Sequence, residues 1–244
     1  MTEQITDRIE IVNADCYSLM DGWPSNAALI TDPPYGIAYL HSGGGGRGKG
    51  LQGANRVRPQ HGAKRYRIHG DDRPFDPSPF LRFAVVCLWG ADKYRLRLPD
   101  TGTLLAWDKD CGKGPEGSFC DCEYAWTSTK TQRNIFRHYW RGLCCSKQGE
   151  DVNRVTEFRR LHVSQKPVAL MEWTLKTCAV PADALVIDPF MGSGSLGVAC
   201  HRAGLRYLGV EIDPEHYATA KARLQRETAQ GLLFMPNDDL SGQR

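Results

Sequence analysis

No apolar run in this 244-residue chain approaches the roughly 20 residues needed to cross a bilayer, so no membrane partner is expected. The opening "MTEQITDRIEIV" is polar and acidic and lacks the basic-then-apolar layout of a secretory signal. The nine cysteines are therefore expected in a reducing cytoplasm. They include no CxxC pair. Cys111, Cys120, Cys122, Cys144 and Cys145 fall in one part of the chain, but their spacings fit no common zinc template, and no metal is expected. Neither sign of charge dominates: 31 Lys and Arg oppose 28 Asp and Glu, for a net +3. There is no internal repeat.

What is present is the composition of an ordinary globular chain, 41% hydrophobic and 24% charged, long enough to bury a substantial core. "RIEIVNAD" (8–15), "AALITD" (27–32), "FAVVCLWGAD" (83–92) and "GTLLAWDKD" (102–110) read as strands. "CEYAWTST" (122–129) and "NIFRHYW" (134–140) have the aromatic and β-branched look of a hairpin pair. "PVALMEWTLKTCA" (167–179) reads as a helix with proline in its first turn, and "PEHYATAKARLQRE" (214–227) as another. Between them, "ALVIDPFMGSGSLGVACHRAG" (184–204) is strand, glycine turn and helix, followed by the strand "RYLGVEID" (206–213). Strands alternating with helices predict an α/β fold, a mostly parallel sheet with helices on both faces. One domain over 1–230 and a frayed tail over 231–244 are expected.

Two places break the pattern. The strand 27–32 ends in Asp32-Pro33-Pro34-Tyr35. Proline cannot donate to a sheet ladder, and two in a row hold the backbone in one extended course. The strand ending at Asp188 runs into a turn containing Gly192 and Gly194 and then a helix. Open α/β sheets bind ligands just beyond the carboxyl ends of their strands, where glycines let the backbone come close. The turn lacks the lysine of a phosphate loop. About 20 residues on, Glu211 ends the next strand, placed to accept from ribose hydroxyls. With Asp188 available to an ammonium group, this donor set suits S-adenosylmethionine better than a nucleotide.

Together, Asp32-Pro33-Pro34-Tyr35 and Asp188-Pro189-Phe190-Met191-Gly192-Ser193-Gly194 resemble the amino-group DNA methyltransferases. The catalytic motif precedes the cofactor motif, as in that family's circularly permuted β group, which "HVSQKPVALMEW" also resembles. The resemblance implies a Rossmann-like methyltransferase fold and S-adenosyl-L-methionine as cofactor. Asp188, Pro189, Phe190, Gly192, Ser193 and Gly194 would hold its methionine end and Glu211, with Ile212 beside it, its ribose. Asp15 and Cys16 would lie by its adenine ring, and Lys166 and Pro167 in the segment closing over its carboxylate. Asp32 and the Pro33 carbonyl would accept hydrogen bonds from the exocyclic amine of a flipped-out base, Pro34 would stiffen the turn, and Tyr35 would stack on that base. Asp at the first motif position favours adenine N6 by analogy with the family; N4 of cytosine stays open. So does a catalytically dead, DNA-binding version of the fold.

Double-stranded DNA is the implied partner. The glycine-rich segment 41–72 carries Arg47, Lys49, Arg56, Arg58, Lys64, Arg65 and Arg67, has no acid before Asp71, and reads as a mobile basic loop over the DNA. Arg133, Arg137 and Arg141 fall in a short target-recognition region at about 130–160. A region that short predicts a short target or help from a second subunit, so a homodimer is also considered.

Overall fold

The structure, a computed structural model, describes residues 2–37, 40–41, 66–111, 121–141, 144–145 and 165–229. In chain order the strands are β1 (Thr2–Gln4), β2 (Ile9–Asn13), β3 (Ala28–Thr31), β4 (Leu40–His41), β5 (Tyr66–Arg67), β6 (Val85–Trp89) and β7 (Thr103–Asp108). They continue as β8 (Cys122–Thr127), β9 (Ile135–Arg137), β10 (Trp140–Arg141), β11 (Cys144–Cys145), β12 (Leu185–Asp188) and β13 (Arg206–Glu211). The α-helices are α1 (Val168–Thr177), α2 (Ser195–Arg202) and α3 (Pro214–Ala229).

Nine strands form one sheet in the order β1-β2-β13-β12-β3-β6-β8-β7-β9. The centre, β2-β13-β12-β3-β6, is parallel throughout, so all five strands deliver their carboxyl ends to the same edge. β3 and β12 are neighbours there, which sets Asp32 beside Asp188 despite their distance in the chain. Every residue of β3 is buried, the mark of a central strand covered on both faces. Its alternation divides the core: Ala28 and Ile30 face one side, Leu29 the other.

The first side is covered by α1, α2 and α3 through Leu170, Leu175, Val198, Tyr217 and Leu224. The opposite side is covered by short 3-10 turns and aromatics, among them Trp23, Phe75, Phe80, Phe83 and Tyr94. Both faces are thus closed, unequally. The α/β Rossmann-like architecture expected from the strand–helix alternation is the one observed.

The expected hairpin of 122–129 with 134–140 is not. β8 pairs antiparallel with β7 on one side and β6 on the other, and β9 lies parallel to β7. Adjacent aromatic strands carry no label for their partner, and here β7, earlier in the chain, took the place between them. Proline 167 caps α1 rather than standing in its first turn. The basic segment also needs correcting at its far end: Asp71 is buried, at 3% exposure, and accepts from Gly36 and Ile37 N–H at 2.8 and 3.2 Å. Residues 40–41 and 66–67 pair as a two-strand ladder. The segment therefore leaves and rejoins the fold at the Asp-Pro-Pro-Tyr turn. Its residues Arg47, Lys49, Arg56, Arg58, Lys64 and Arg65 lie outside the described residues, as does 231–244.

Candidate active site

Beyond the carboxyl edge of the parallel strands lies one cavity of about 1020 Å³. Asp15 and Cys16 reach it from β2, Asp32 to Tyr35 from β3, Asp188 to Ser193 from β12, and Glu211 and Ile212 from β13. Lys166 borders it from the segment before α1. The structure thus gathers the two motifs and their flanking residues around a single space. Gly194 and Pro167 stand just behind that wall, as the N-caps of α2 and α1. Gly194 has φ +73°, a left-handed conformation that favours glycine, and it turns the chain into α2.

The glycine turn is held from below by both acids. Glu211 accepts from Gly192 N–H through Oε2 and from Asp213 N–H through Oε1, each at 2.9 Å. Asp188 accepts from Thr31 Oγ1 at 2.7 Å, from Tyr207 at 3.2 Å and from Phe190 N–H at 3.4 Å. Burial pushes the Asp188 carboxyl up to about 7 against the pull of those donors, and burial also raises Glu211. Two acids lifted by desolvation beside one cavity are matched by a ligand that brings positive charge and hydroxyl donors, not by a phosphate. The residues present therefore fit S-adenosylmethionine.

Toward the β2 side, Asp15 caps a 3-10 turn by accepting from Tyr17 N–H at 3.0 Å. Cys16 is buried, and burial first, then the nearby Asp15, pushes its thiol up to about 12. It is an inert wall. The Phe190 ring packs edge-on to Phe75 and Phe80, at 6.0 and 5.7 Å between centroids, and Tyr17 packs on Phe80 at 5.7 Å. This aromatic bank borders the cavity beside Asp15 and Cys16.

At the other end, Asp32 is gripped on both oxygens. Tyr35 donates its hydroxyl to Oδ1, and Lys166 donates its ammonium to Oδ2, each at 2.5 Å. Burial, then the Asp32 charge, holds the Tyr35 phenol well above its usual range. The Tyr35 ring lies against Gly90, where a Cβ would fall 1.9 Å from Tyr35 Cε1. Behind Lys166 stands Glu123, with Oε2 3.1 Å from Lys166 Nζ, and behind Glu123 stands Lys109, 2.7 Å from its Oε1. Burial alone would lower the Lys166 ammonium, but Asp32 and then Glu123 outweigh it and raise it. Burial would raise Glu123, but Lys166 and Lys109 bring it down to about 2.

Lys109, Glu123, Thr31 and Tyr207 were not singled out in the sequence. The one available signal, for Lys109 and Glu123 alone, was a lysine and an acid at the ends of two strand-like segments. Of the basic residues expected on DNA, Arg137 is exposed and 3.6 Å from Asp108, and Arg133 is exposed on the approach to β9. Neither borders the cavity. For Arg67 and Arg141 only the strand positions are described. Among the described residues no group of His, Cys, Asp and Glu is arranged to hold a metal, and no helix is long and apolar enough to cross a membrane.

Residues 103–222 match the N6/N4 DNA methylase family model. That stretch, just under half of the chain, is similar to the amino-group DNA methyltransferases. It is 32% identical over 123 residues to the Type II methyltransferase M2.DpnII of Streptococcus pneumoniae, 43% of this chain and 46% of that protein. It is 37% identical over 83 residues to the putative methylase YubD of Escherichia coli (strain K12), 33% of this chain and 35% of that one. The matched stretches thus span less than half the length of these relatives. In fold the chain is similar to the M1.HpyAVI–SAM complex, with TM-score 0.52 and 20% identity over 88% of this chain and all of that one. It is similar also to the cytosine-N4-specific PvuII DNA methyltransferase, with TM-score 0.51 and 14% identity over 92% and 93%.

Proposed function

We propose that this chain transfers a methyl group from S-adenosylmethionine to the exocyclic N6 of adenine in double-stranded DNA, on a base turned out of the helix. The observation that carries the reading is the single cavity joining Asp188 and Glu211 to Asp32. A cofactor site and an acceptor-amine site that share one space allow the in-line approach that methyl transfer requires. The M2.DpnII, YubD and PvuII proteins, named as methyltransferases and a methylase, support the same reaction class.

The cofactor would be held by Asp188 and the Phe190–Gly194 turn at its methionine end, by Glu211 and Ile212 at its ribose, and by Asp15, Cys16 and the aromatic bank at its adenine. When bound it supplies an electrophilic sulfonium methyl. The rest falls to the protein. An exocyclic amine is a poor nucleophile because its ring withdraws the lone pair. Asp32 and the Pro33 carbonyl accept from its two hydrogens, which favours build-up of electron density on nitrogen. Pro33 and Pro34 hold that carbonyl in place and bring no N–H to compete. Tyr35, steadied by its hydroxyl on Asp32, offers its remaining ring face to the base. The product ammonium then loses its proton to Asp32 or to water.

Adenine rather than cytosine rests on the aspartate that opens the tetrapeptide, by analogy with the family. Arg133, Arg137 and Arg141 and the basic segment would contact phosphates, with affinity that falls steeply with salt. A cytoplasmic setting goes with this reaction.

The test is to incubate the protein with unmethylated DNA and S-adenosylmethionine, digest to nucleosides and identify them by mass spectrometry beside Asp32→Ala. N6-methyldeoxyadenosine, absent from the variant, supports the proposal. N4-methyldeoxycytidine would keep the reaction and change the base. No methylated base, with the cofactor still bound, would reject the enzyme reading in favour of a DNA-binding module.

A further inference from the structure

Four charged side chains border the active-site cavity in a row of alternating sign: Lys109, Glu123, Lys166 and Asp32. The links are 2.7 Å, 3.1 Å and 2.5 Å. Each member comes from a different element: Lys109 follows β7, Glu123 lies in β8, Lys166 precedes α1 and Asp32 follows β3. Both lysines are largely shielded, at 15% and 11% side-chain exposure. Lys109 also lies 5.4 Å from the centre of the Trp107 ring. Around Asp32 the row is joined by Tyr35, Tyr94 and Asp188, and the Lys93–Asp92 pair stands in the same wall.

A buried ion pair is weak as a source of stability, because desolvation offsets most of its attraction. Four partly buried charges at a cavity wall therefore ask for another reason. Glu123 Oε2 is shielded from solvent, and the Lys166 ammonium lies 3.1 Å from it, so this oxygen and Asp32 Oδ2 face one cation.

We propose that Glu123, backed by Lys109, is a positioning residue for methyl transfer: it shares the Lys166 ammonium with Asp32. This rests on the methyltransferase reading. Shared in this way, Lys166 orients the Asp32 carboxylate without taking up its whole acceptor strength, and Asp32 stays able to accept from an amine. With Glu123 neutral, the ammonium belongs to Asp32 alone and two lysines oppose a single acid. The same geometry puts the Lys166 ammonium on Asp32, whereas the resemblance implied a place over the cofactor's carboxylate.

The experiment compares Glu123→Gln, Lys109→Met and the double variant with wild type. Glu123→Gln is expected to lower kcat by about tenfold or more, with S-adenosylmethionine affinity within about twofold of wild type. The double variant is expected to be no slower than Glu123→Gln alone, because Lys109 acts through Glu123. A double variant as poor as the two single losses combined, or loss of cofactor binding in Glu123→Gln, would overturn the proposal.

A second measurement does not depend on activity. In wild type the Glu123 side-chain carboxyl carbon, followed by NMR and assigned by its absence in Glu123→Gln, should show no titration between about pH 7 and 4. In Lys166→Met it should begin to titrate inside that window. Titration already in wild type, or none in Lys166→Met, would refute the shared ammonium. If wild type transfers no methyl group at all, the methyltransferase reading fails by itself, and this second result still decides whether Glu123 and Lys166 are coupled.

Discussion

Thr31 Oγ1 donates to Asp188 Oδ1 at 2.7 Å, joining the residue before Asp-Pro-Pro-Tyr to the acid that opens Asp-Pro-Phe-Met-Gly-Ser-Gly, 157 positions later. The bond is buried and crosses two adjacent parallel strands, so it fixes the depth of one motif relative to the other. It also favours the ionised form of Asp188. Thr31→Val keeps the volume and removes the donor. The loss of one hydrogen bond to a charged group, about 1.5–3 kcal/mol, predicts at least tenfold weaker S-adenosylmethionine binding, read by calorimetry. Unchanged affinity would show that Asp188 does not face the cofactor's cationic end.

The pH dependence of binding follows from the same acid. Buried Asp188 has its carboxyl raised to about 7, so between the ordinary aspartate range and 7 the folded protein keeps a proton that an unfolded chain would lose. For the free protein this group's contribution to stability is greatest in acid and fades as the pH rises through about 7. A cationic ligand reverses the preference, because it binds the ionised form. S-adenosylmethionine affinity should therefore rise with pH up to about 7 and then level off. Binding near pH 6 should release protons, measured by calorimetry in buffers of different ionisation enthalpy. Asp188→Asn should flatten the dependence. A flat wild-type profile would remove Asp188 from the cofactor site.

Gly90 offers a test of the proposed base pocket alone. It has φ +74°, and a Cβ there would meet the Tyr35 ring at 1.9–2.6 Å. Gly90→Ala must displace Tyr35 and strain the turn after β6. Misplacement of a substrate-contacting group by about an ångström costs on the order of 100-fold in rate, so kcat/KM should fall by about that much while cofactor affinity holds. Tyr35→Phe, which loses only the hydroxyl on Asp32, should cost less than about tenfold. If both variants are equally impaired, the hydroxyl and not the ring position is what matters.

The placing of the strand-end acids was legible because it is local. Asp188 and Glu211 end strands and Asp32 follows one directly, and five parallel strands carried them to one edge, as alternation of strand and helix predicts. What pairs with what was not legible. β8 gave no sign that β7 and β6 would flank it, and from that pairing follows the position of Glu123 against Lys166. Charges in strands and helices read as solvent-facing until the tertiary fold buries them. Asp71 shows this inside a stretch that otherwise lacked any reason to fold, and Arg223 inside a polar helix.

Arg223 projects from α3 and is buried at 3% exposure. Its Nη1 donates to the Ser193 carbonyl at 3.0 Å and to Ser195 Oγ at 2.9 Å, and Ser195 Oγ in turn donates to the Lys166 carbonyl at 2.7 Å. Burial lowers the guanidinium to about 10, which leaves it charged at neutral pH. One side chain thus anchors the glycine turn and, through Ser195, the backbone of the lysine that holds Asp32. Arg223→Met fills similar space without donors and strands a buried carbonyl, at a cost of about 1–3 kcal/mol in stability. Urea unfolding should show that loss, and Arg223→Lys, with one donor group retained, should recover part of it. If the turn carries the cofactor's methionine end as proposed, S-adenosylmethionine binding should weaken in the same order, methionine below lysine below arginine. Loss of stability with cofactor affinity unchanged would make Arg223 an anchor of α3 alone, and the turn independent of it.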